Sequence, residues 1–160
     1  MYVDIVAIIL IYVLVVFFHR KKLKIGLYVL LVTWGIIYAY FIYFSRKTPY
    51  APYYNFEPFW SYRAAFDGFT IKRMDYVLQI VQNILVYVPL GMILTTIFTH
   101  HSFLWPFIIG LFLSISTEVI QYYSKMGYAE FDDVFHNMIG LHIGILIMRT
   151  TKNTEPRGNK

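Results

Sequence analysis

Five apolar segments separated by short polar stretches constrain this chain more than any other feature of its sequence. Their bounds are Tyr2–Phe18, Gly26–Phe44, Asp75–Phe98, Phe103–Tyr123 and Val134–Met148. A helix that crosses a bilayer needs about 20 mainly apolar residues. Charged side chains make up 14% of the 160 residues, against about 25% in average soluble proteins. We therefore expect an all-α membrane protein with about five transmembrane helices.

The domain organisation expected from this pattern is simple. One transmembrane domain covers residues 1–150, and a short basic tail covers residues 151–160. An aromatic loop lies between the second and third segments. The positive charges lie between the apolar segments and do not cover one face, so nucleic acid is not expected as a partner. With no cysteine in the chain, disulfides and thiolate metal sites are excluded. We expect no cofactor and no metal site.

Short basic segments predict the orientation in the membrane. Lys and Arg are enriched in the loop His19–Lys24 and again after Met148. Five helices put these two segments on one side, which the positive-inside rule makes cytoplasmic. The N-terminus and the Ser45–Met74 loop are then expected outside the cell, with the C-terminus in the cytoplasm. The same loop carries five basic residues, interleaved with acidic ones.

Polar residues recur at helical spacing near the predicted outer ends of three segments. Ser114, Glu118 and Gln121 are spaced i, i+4, i+7, and Asp133, Asn137 and Gly140 repeat that spacing. The third segment contributes Gln79, Gln82 and Asn83 at the same depth. Carboxylates inside a bilayer are costly unless they are paired or hydrated. We expect these side chains to converge on one site inside the bundle.

Structural roles compete with this hypothesis. Asp132 and Asp133 could cap the fifth helix, because carboxylates accept hydrogen bonds from free N–H groups at a helix N-terminus. Asn83 and Gln121 could be interhelical hydrogen-bonding residues. A divalent cation held by the carboxylates is less favoured, because the dense loop motif of a calcium site is absent. His136 and His142 are six apart and do not share a helix face.

Four stretches, in order, resemble the signature blocks of the VanZ-like family: "YNFEPFWSY", "QNILVYVPLGMIL", "SISTEVIQYY" and "EFDDVFHNMIG". The matched positions are Asn55, Pro58, Phe59, Asn83, Tyr87, Pro89, Gly91, Glu118, Gln121, Asp133, Asn137 and Gly140. The resemblance covers roughly residues 46–144. Many members carry an Arg just before the acidic turn, where this chain reads "GYAEF". An anion-binding role of that Arg would fall here to Lys125, Arg46 or Arg63.

The resemblance implies a link to resistance against teicoplanin-type lipoglycopeptide antibiotics. Our first hypothesis is a membrane protein that binds the drug or an envelope lipid in a polar pocket at the outer leaflet. An alternative is a membrane enzyme acting on a lipid-linked envelope substrate, with Glu118 and Asp133 as acid/base or cation-binding groups. A third hypothesis is a structural or regulatory subunit that presents its helix bundle to another membrane protein. The candidate ligand-binding residues are Arg46, Asn55, Phe59, Arg63, Asn83, Glu118, Gln121, Asp132, Asp133 and Asn137. We expect the loop around Asn55–Pro58 to fold back over them, through a short helix after Pro58.

Overall fold

The described residues of the computed structural model form six helices and two short strands. They cover residues 2–44, 53–66, 71–98, 103–125 and 127–153. The helices are α1 (Tyr2–Arg20), α2 (Lys24–Phe44), α3 (Trp60–Phe66), α4 (Ile71–Ile97), α5 (Leu104–Ser124) and α6 (Phe131–Asn153). The strands are β1 (Tyr53–Asn55) and β2 (Tyr128–Glu130). The prediction of a mainly helical chain is confirmed, and each of the five apolar segments corresponds to a helix.

Length and composition qualify two of these helices as membrane spans. The qualifying stretches are Met74–Ile97 and Leu104–Ser124. Within the described residues, α1 and α2 contribute shorter apolar stretches, Ile9–Arg20 and Lys24–Tyr40. α6 begins with Asp132 and Asp133 in its first turn, which lowers its apolar character. The number of five spans therefore stays a prediction, as do the sides of the termini. α6 also continues to Asn153, past the predicted start of the tail.

Helices α4 and α6 touch backbone to backbone through glycines. A Cβ atom on Gly140 would overlap the carbonyl oxygen of Ile84, and one on Gly144 would overlap that of Val88. Gly91 of α4 meets the carbonyl of Leu141 in the same way. The spacing Gly140-x-x-x-Gly144 is the small-residue pattern that lets membrane helices approach closely. This contact fixes which residues of α4 and α6 face each other.

The hydrophobic core lies along this α4–α6 contact and is closed by α1 and α2. Its fully buried side chains include Tyr87, Leu90, Leu141 and Met148. Pro89 inside α4 removes one backbone N–H from the helical ladder. Near this missing N–H, the Trp34 indole of α2 donates a hydrogen bond to the carbonyl of Val86 at 2.8 Å. This bond ties α2 to α4 one residue from Leu85, whose carbonyl Pro89 leaves without its usual helical donor.

The described part of the segment between α2 and α4, residues 53–66, folds back onto the start of α6. Strand β1 pairs in parallel with β2, in the register Tyr53↔Tyr128, Tyr54↔Ala129 and Asn55↔Glu130. The short helix α3 follows Pro58, as the sequence predicts. The sequence does not predict the strand pair, because three residues per strand are too few to show an alternation of apolar and polar side chains. The effect of the pair is to bring the aromatic segment next to the acidic turn.

Candidate functional site

Four carboxylates are buried where α5, β2 and α6 meet. Glu118 is 7% exposed, Glu130 3%, Asp132 0% and Asp133 3%. A buried carboxylate is costly unless hydrogen bonds or opposite charges replace its water. The described contacts show how the surrounding helices supply such bonds.

Glu118 and Glu130 are joined through the backbone. The Oε2 atom of Glu118 accepts a hydrogen bond from the N–H of Glu130 at 2.8 Å. Glu118 lies within the last two turns of α5, and Glu130 ends β2. The bond therefore ties the chain that leaves α5 back onto that helix, twelve residues later. It also explains how Glu118 is held at a buried position.

Gln79 of α4 connects two further carboxylates. Its Nε2 atom donates to Oε2 of Glu130 at 3.0 Å and to Oδ1 of Asp133 at 3.3 Å. Glu118 and Asp133, both predicted site residues, thus belong to one group linked by Glu130 and Gln79. Gln79 lies one turn before Asn83 and two before Tyr87 on α4. That spacing puts Gln79 on the same face of α4 as the buried Asn83 and Tyr87.

Asp132 caps a helix, but not the one that the sequence suggested. Its carboxylate accepts the N–H of Phe59 at 2.7 Å, the N–H of Ser61 at 2.9 Å and the hydroxyl of Ser61 at 2.6 Å. These donors lie at the start of α3, so Asp132 caps α3 and not its own helix α6. This contact fastens the folded-back segment to α6. Phe59 takes a left-handed backbone conformation there, with φ of 61°.

A second polar layer lies one turn deeper. The Nδ2 atom of Asn137 donates to the Ser114 hydroxyl at 2.9 Å, and Ser114 is fully buried. Tyr38 from α2 lies 3.1 Å from the hydroxyl of Tyr87 and donates to Thr117 at 3.1 Å. Hydroxyl and amide groups from four helices therefore meet beneath the carboxylates.

Asn83 and Gln121 are buried, at 7% and 1% exposure. Within the described part of the chain, Asn83 Nδ2 and Gln121 Oε1 have no hydrogen-bond partner. Both amides therefore lie at the same depth as the site. Among the described contacts, no hydrogen bond joins either amide to the carboxylates. Gln82, next to Asn83, is exposed and lies on another face of α4.

Histidine and tyrosine complete the site in a way that the sequence did not reveal. Nε2 of His136 lies 2.9 Å from the hydroxyl of Tyr62 on α3. Burial, and then the nearby Asp132 carboxylate, raise the pKa of the Tyr62 phenol. The phenol therefore stays protonated at neutral pH. His142 instead contacts the carbonyl of Met138, so the two histidines are engaged separately.

The remaining predicted residues take other roles. Arg63 pairs with Glu57, and both side chains are more than half exposed. The Asn55 side chain accepts the N–H of Glu57 at 3.0 Å, a local turn contact. The ring of Phe59 packs against Tyr62 and Phe135. Arg46 lies outside the described residues.

An apolar groove opens beside the carboxylates, between α5, the strand pair and the start of α6. Its volume is about 640 Å³, within the size range of small-molecule sites. Glu118 and Glu130 border it, and the other described lining residues are apolar or aromatic. They are Tyr54, Phe56, Leu111, Ile115, Val119, Tyr122, Tyr123, Ala129, Phe131 and Val134. Among the described residues, no group of three or more His, Asp or Glu side chains could hold a metal ion.

These observations define a mainly helical protein with a buried, carboxylate-containing site bordered by an apolar groove. The family model VanZ/LLP1 matches residues 5–152, nearly the whole chain, so the protein belongs to the VanZ/LLP1 family. A curated relative is Protein VanZ from Enterococcus faecium, 30% identical over 67 residues. The match covers 42% of this chain and 42% of that protein. No solved structure matches the chain.

Proposed function

We propose that this protein is a membrane protein that binds an amphiphile in the groove between α5 and α6. The amphiphile is an envelope lipid or a lipoglycopeptide of the teicoplanin type. One observation carries the proposal: a groove with apolar and aromatic walls is bordered by two buried carboxylates, Glu118 and Glu130. Apolar walls suit an acyl chain, and a few placed polar groups suit a head group.

The packing around the groove supports this proposal. Glu118 and Glu130 are held by the bonds to the Glu130 N–H and to Gln79, so their positions are set before a ligand arrives. A binding site whose polar groups are already ordered loses less entropy when a ligand binds. The aromatic pair Tyr54 and Phe56, stacked at 5.2 Å between ring centroids, lines the open end.

The link to antibiotic resistance is part of the same proposal. It follows from the resemblance of the motif blocks and from membership of the VanZ/LLP1 family. An acylated drug and an envelope lipid share an apolar chain and a polar head, so either could occupy this groove. No observation on the described residues favours the enzymatic alternative.

Native mass spectrometry of the protein released from mild detergent tests the proposal. We expect a co-purified amphiphile on the wild type and its loss from Ile115→Trp, because Ile115 lines the groove. Ile108→Trp is the matched control: the same substitution on the same helix, at an exposed residue outside the described lining. Equal amphiphile content in wild type, Ile115→Trp and Ile108→Trp would refute binding in the groove.

A competition experiment distinguishes the envelope lipid from the drug as the ligand of the groove. Teicoplanin is added to the wild-type protein with its lipid bound. Displacement of the lipid by the drug, lost in Ile115→Trp, would assign the drug to this groove. Retention of the lipid at saturating drug would restrict the proposal to envelope lipids.

A further inference from the structure

The α5 helix carries polar side chains on its buried face and apolar side chains on its exposed face. Its buried polar residues are Ser114, Thr117, Glu118 and Gln121. Its exposed residues are apolar or aromatic except Ser124 at its end, and they include Leu104, Ile108, Phe112, Ile115, Val119 and Tyr123. A surface helix of a water-soluble protein has the reverse arrangement. The exposed face of α5 therefore suits contact with lipid chains, in agreement with a length and composition that qualify α5 as a span.

The groove is continuous with this exposed face. Ile115 and Val119 line the groove, and their exposed fractions are 47% and 49%. They lie on the same face of α5 as Ile108 and Phe112, which are outside the described lining. On the α6 wall, Phe131 is 44% exposed. The open side of the groove is therefore bordered on both walls by apolar side chains that also reach the surface.

The length of the groove is close to the thickness of one leaflet of a bilayer. Its α5 wall runs from Leu111 to Tyr123, which is about 18 Å from the rise of an α-helix. The hydrocarbon core of a bilayer is about 30 Å thick, so one leaflet accounts for about 15 Å. Leu111 lies near the middle of α5, and Tyr123 lies in its last turn.

Aromatic residues mark the end of the groove at the last turn of α5. Tyr122 and Tyr123 line it there, and ring contacts join Tyr54 to Tyr122 and to Phe56. Tyrosine and tryptophan are enriched where a membrane meets water. This end of the groove therefore fits the level of the head groups, and the opposite end fits the level of the chain ends.

We propose that the groove opens sideways into one leaflet and that its ligand is a bilayer lipid, which enters from that leaflet and not from water. The polar end of the lipid lies beside Tyr54 and Phe56, and one acyl chain runs along Ile115 toward Leu111. The inference rests on the proposed function and adds to it the phase from which the ligand comes and its direction in the groove.

Spin labels on single cysteines in this cysteine-free chain test the opening of the groove. Ile115→Cys places the label in the groove, and Phe112→Cys places it on the exposed face of α5 outside the groove. Glu57→Cys places it at an exposed residue outside the two candidate spans. Each labelled protein is reconstituted in phosphatidylglycerol vesicles, and collisions of the label with oxygen and with a water-soluble nickel chelate are measured.

Oxygen concentrates in the hydrocarbon, whereas the chelate stays in water. We therefore expect the ratio of oxygen to nickel collisions to be several-fold higher at positions 112 and 115 than at position 57. A ratio at position 115 that matches the ratio at position 57 would show a groove open to water and would overturn the inference.

Photoreactive lipids test the direction of the chain. Two phosphatidylcholine probes carry a diazirine either at the end of one acyl chain or next to its ester, and each is added in trace amount to the same vesicles. We expect the chain-end probe to label Leu111 and the ester-proximal probe to label Tyr122, with the sites mapped by fragment-ion mass spectrometry. Ile115→Trp should remove most of the labelling at Leu111, because the indole fills the groove. Ile120→Trp is the matched control on α5, at an exposed residue outside the described lining, and should retain that labelling.

The outcomes separate this inference from the proposed function. Loss of the co-purified amphiphile in Ile115→Trp, together with a water-accessible label at position 115, would retain binding in the groove and overturn entry from the bilayer. Labelling of Leu111 by the ester-proximal probe and of Tyr122 by the chain-end probe would overturn the direction. Equal labelling of Leu111 in Ile115→Trp and Ile120→Trp would overturn the groove as the site, and with it the inference. The spin labels decide the opening if Ile115→Trp does not fold, because they need no tryptophan variant.

Discussion

The side chain of Glu118 on α5 holds the backbone N–H of Glu130, twelve residues along the chain, through a hydrogen bond of 2.8 Å. The bond joins two residues whose carboxylates are buried beside the groove, and it closes the turn between α5 and α6. It gives Glu118 a structural role in addition to any role toward a ligand. Substitutions of Glu118 must therefore distinguish the loss of its hydrogen-bond acceptor from the loss of its charge.

Substitution of Glu118 by Gln and by Leu makes that separation. Gln retains an oxygen that can accept the Glu130 N–H, whereas Leu leaves that buried donor without a partner. We expect Glu118→Leu to lower the free energy of unfolding by about 2 kcal/mol more than Glu118→Gln. Thermal unfolding of both variants in the same detergent measures the difference. Equal loss of stability in both would show that the bond to Glu130 contributes little.

Asp132 fastens α3 to α6 through three donors at the start of α3. We expect Asp132→Ala to destabilise this attachment by about 2 kcal/mol, the upper range for the loss of a helix cap. Hydrogen exchange at the amides of Phe59 and Ser61 reports it directly, and both should exchange faster. Asp75→Ala, at an exposed aspartate on α4, is the control and should leave these amides protected. Unchanged exchange in Asp132→Ala would contradict the capping role.

Gly140 tests the contact between α4 and α6. A methyl group there would overlap the carbonyl oxygen of Ile84, so Gly140→Ala must push the helices apart. We expect a loss of about 2 kcal/mol in the free energy of unfolding. Gly35→Ala is the matched control, because nothing lies within 4 Å of the added methyl group and alanine favours a helix. A Gly140→Ala variant as stable as Gly35→Ala would argue against a backbone-level contact.

The predicted orientation is tested in this cysteine-free chain by single cysteines. Ser124→Cys lies at the exposed end of α5, and Thr154→Cys lies in the basic tail. In intact cells, an impermeant maleimide should label position 124 and leave position 154 unlabelled until the cells are broken. The reverse pattern would invert the topology and place the groove at the inner leaflet.

The sequence was most informative about helix faces. Ser114, Glu118 and Gln121 are all buried on α5, and Asp133, Asn137 and Gly140 are all buried on α6, as their spacing predicts. Polar residues stand out against an apolar background, so their periodicity is easy to read. The Gly140-x-x-x-Gly144 spacing was equally readable, and it would have predicted which face of α6 meets α4.

Contacts between distant segments were harder to predict. The bond from Phe59 to Asp132 joins residues 73 positions apart, and nothing local distinguishes a carboxylate that caps its own helix from one that caps another. The pairing of β1 with β2 likewise joins residues that are far apart in the sequence. Arg63 shows the converse case. Its charge made it a candidate for the buried site, yet Glu57, six residues earlier, pairs with it at the surface.

Density in the groove of the protein crystallised from a lipid mesophase tests ligand binding most directly. We expect elongated density along Ile115 and Val119, with its polar end within hydrogen-bonding distance of Glu118 or Glu130. The Ile115→Trp protein, crystallised in the same way, should lack it. An empty wild-type groove, closed by its own side chains while lipids are ordered elsewhere on the surface, would contradict a binding function.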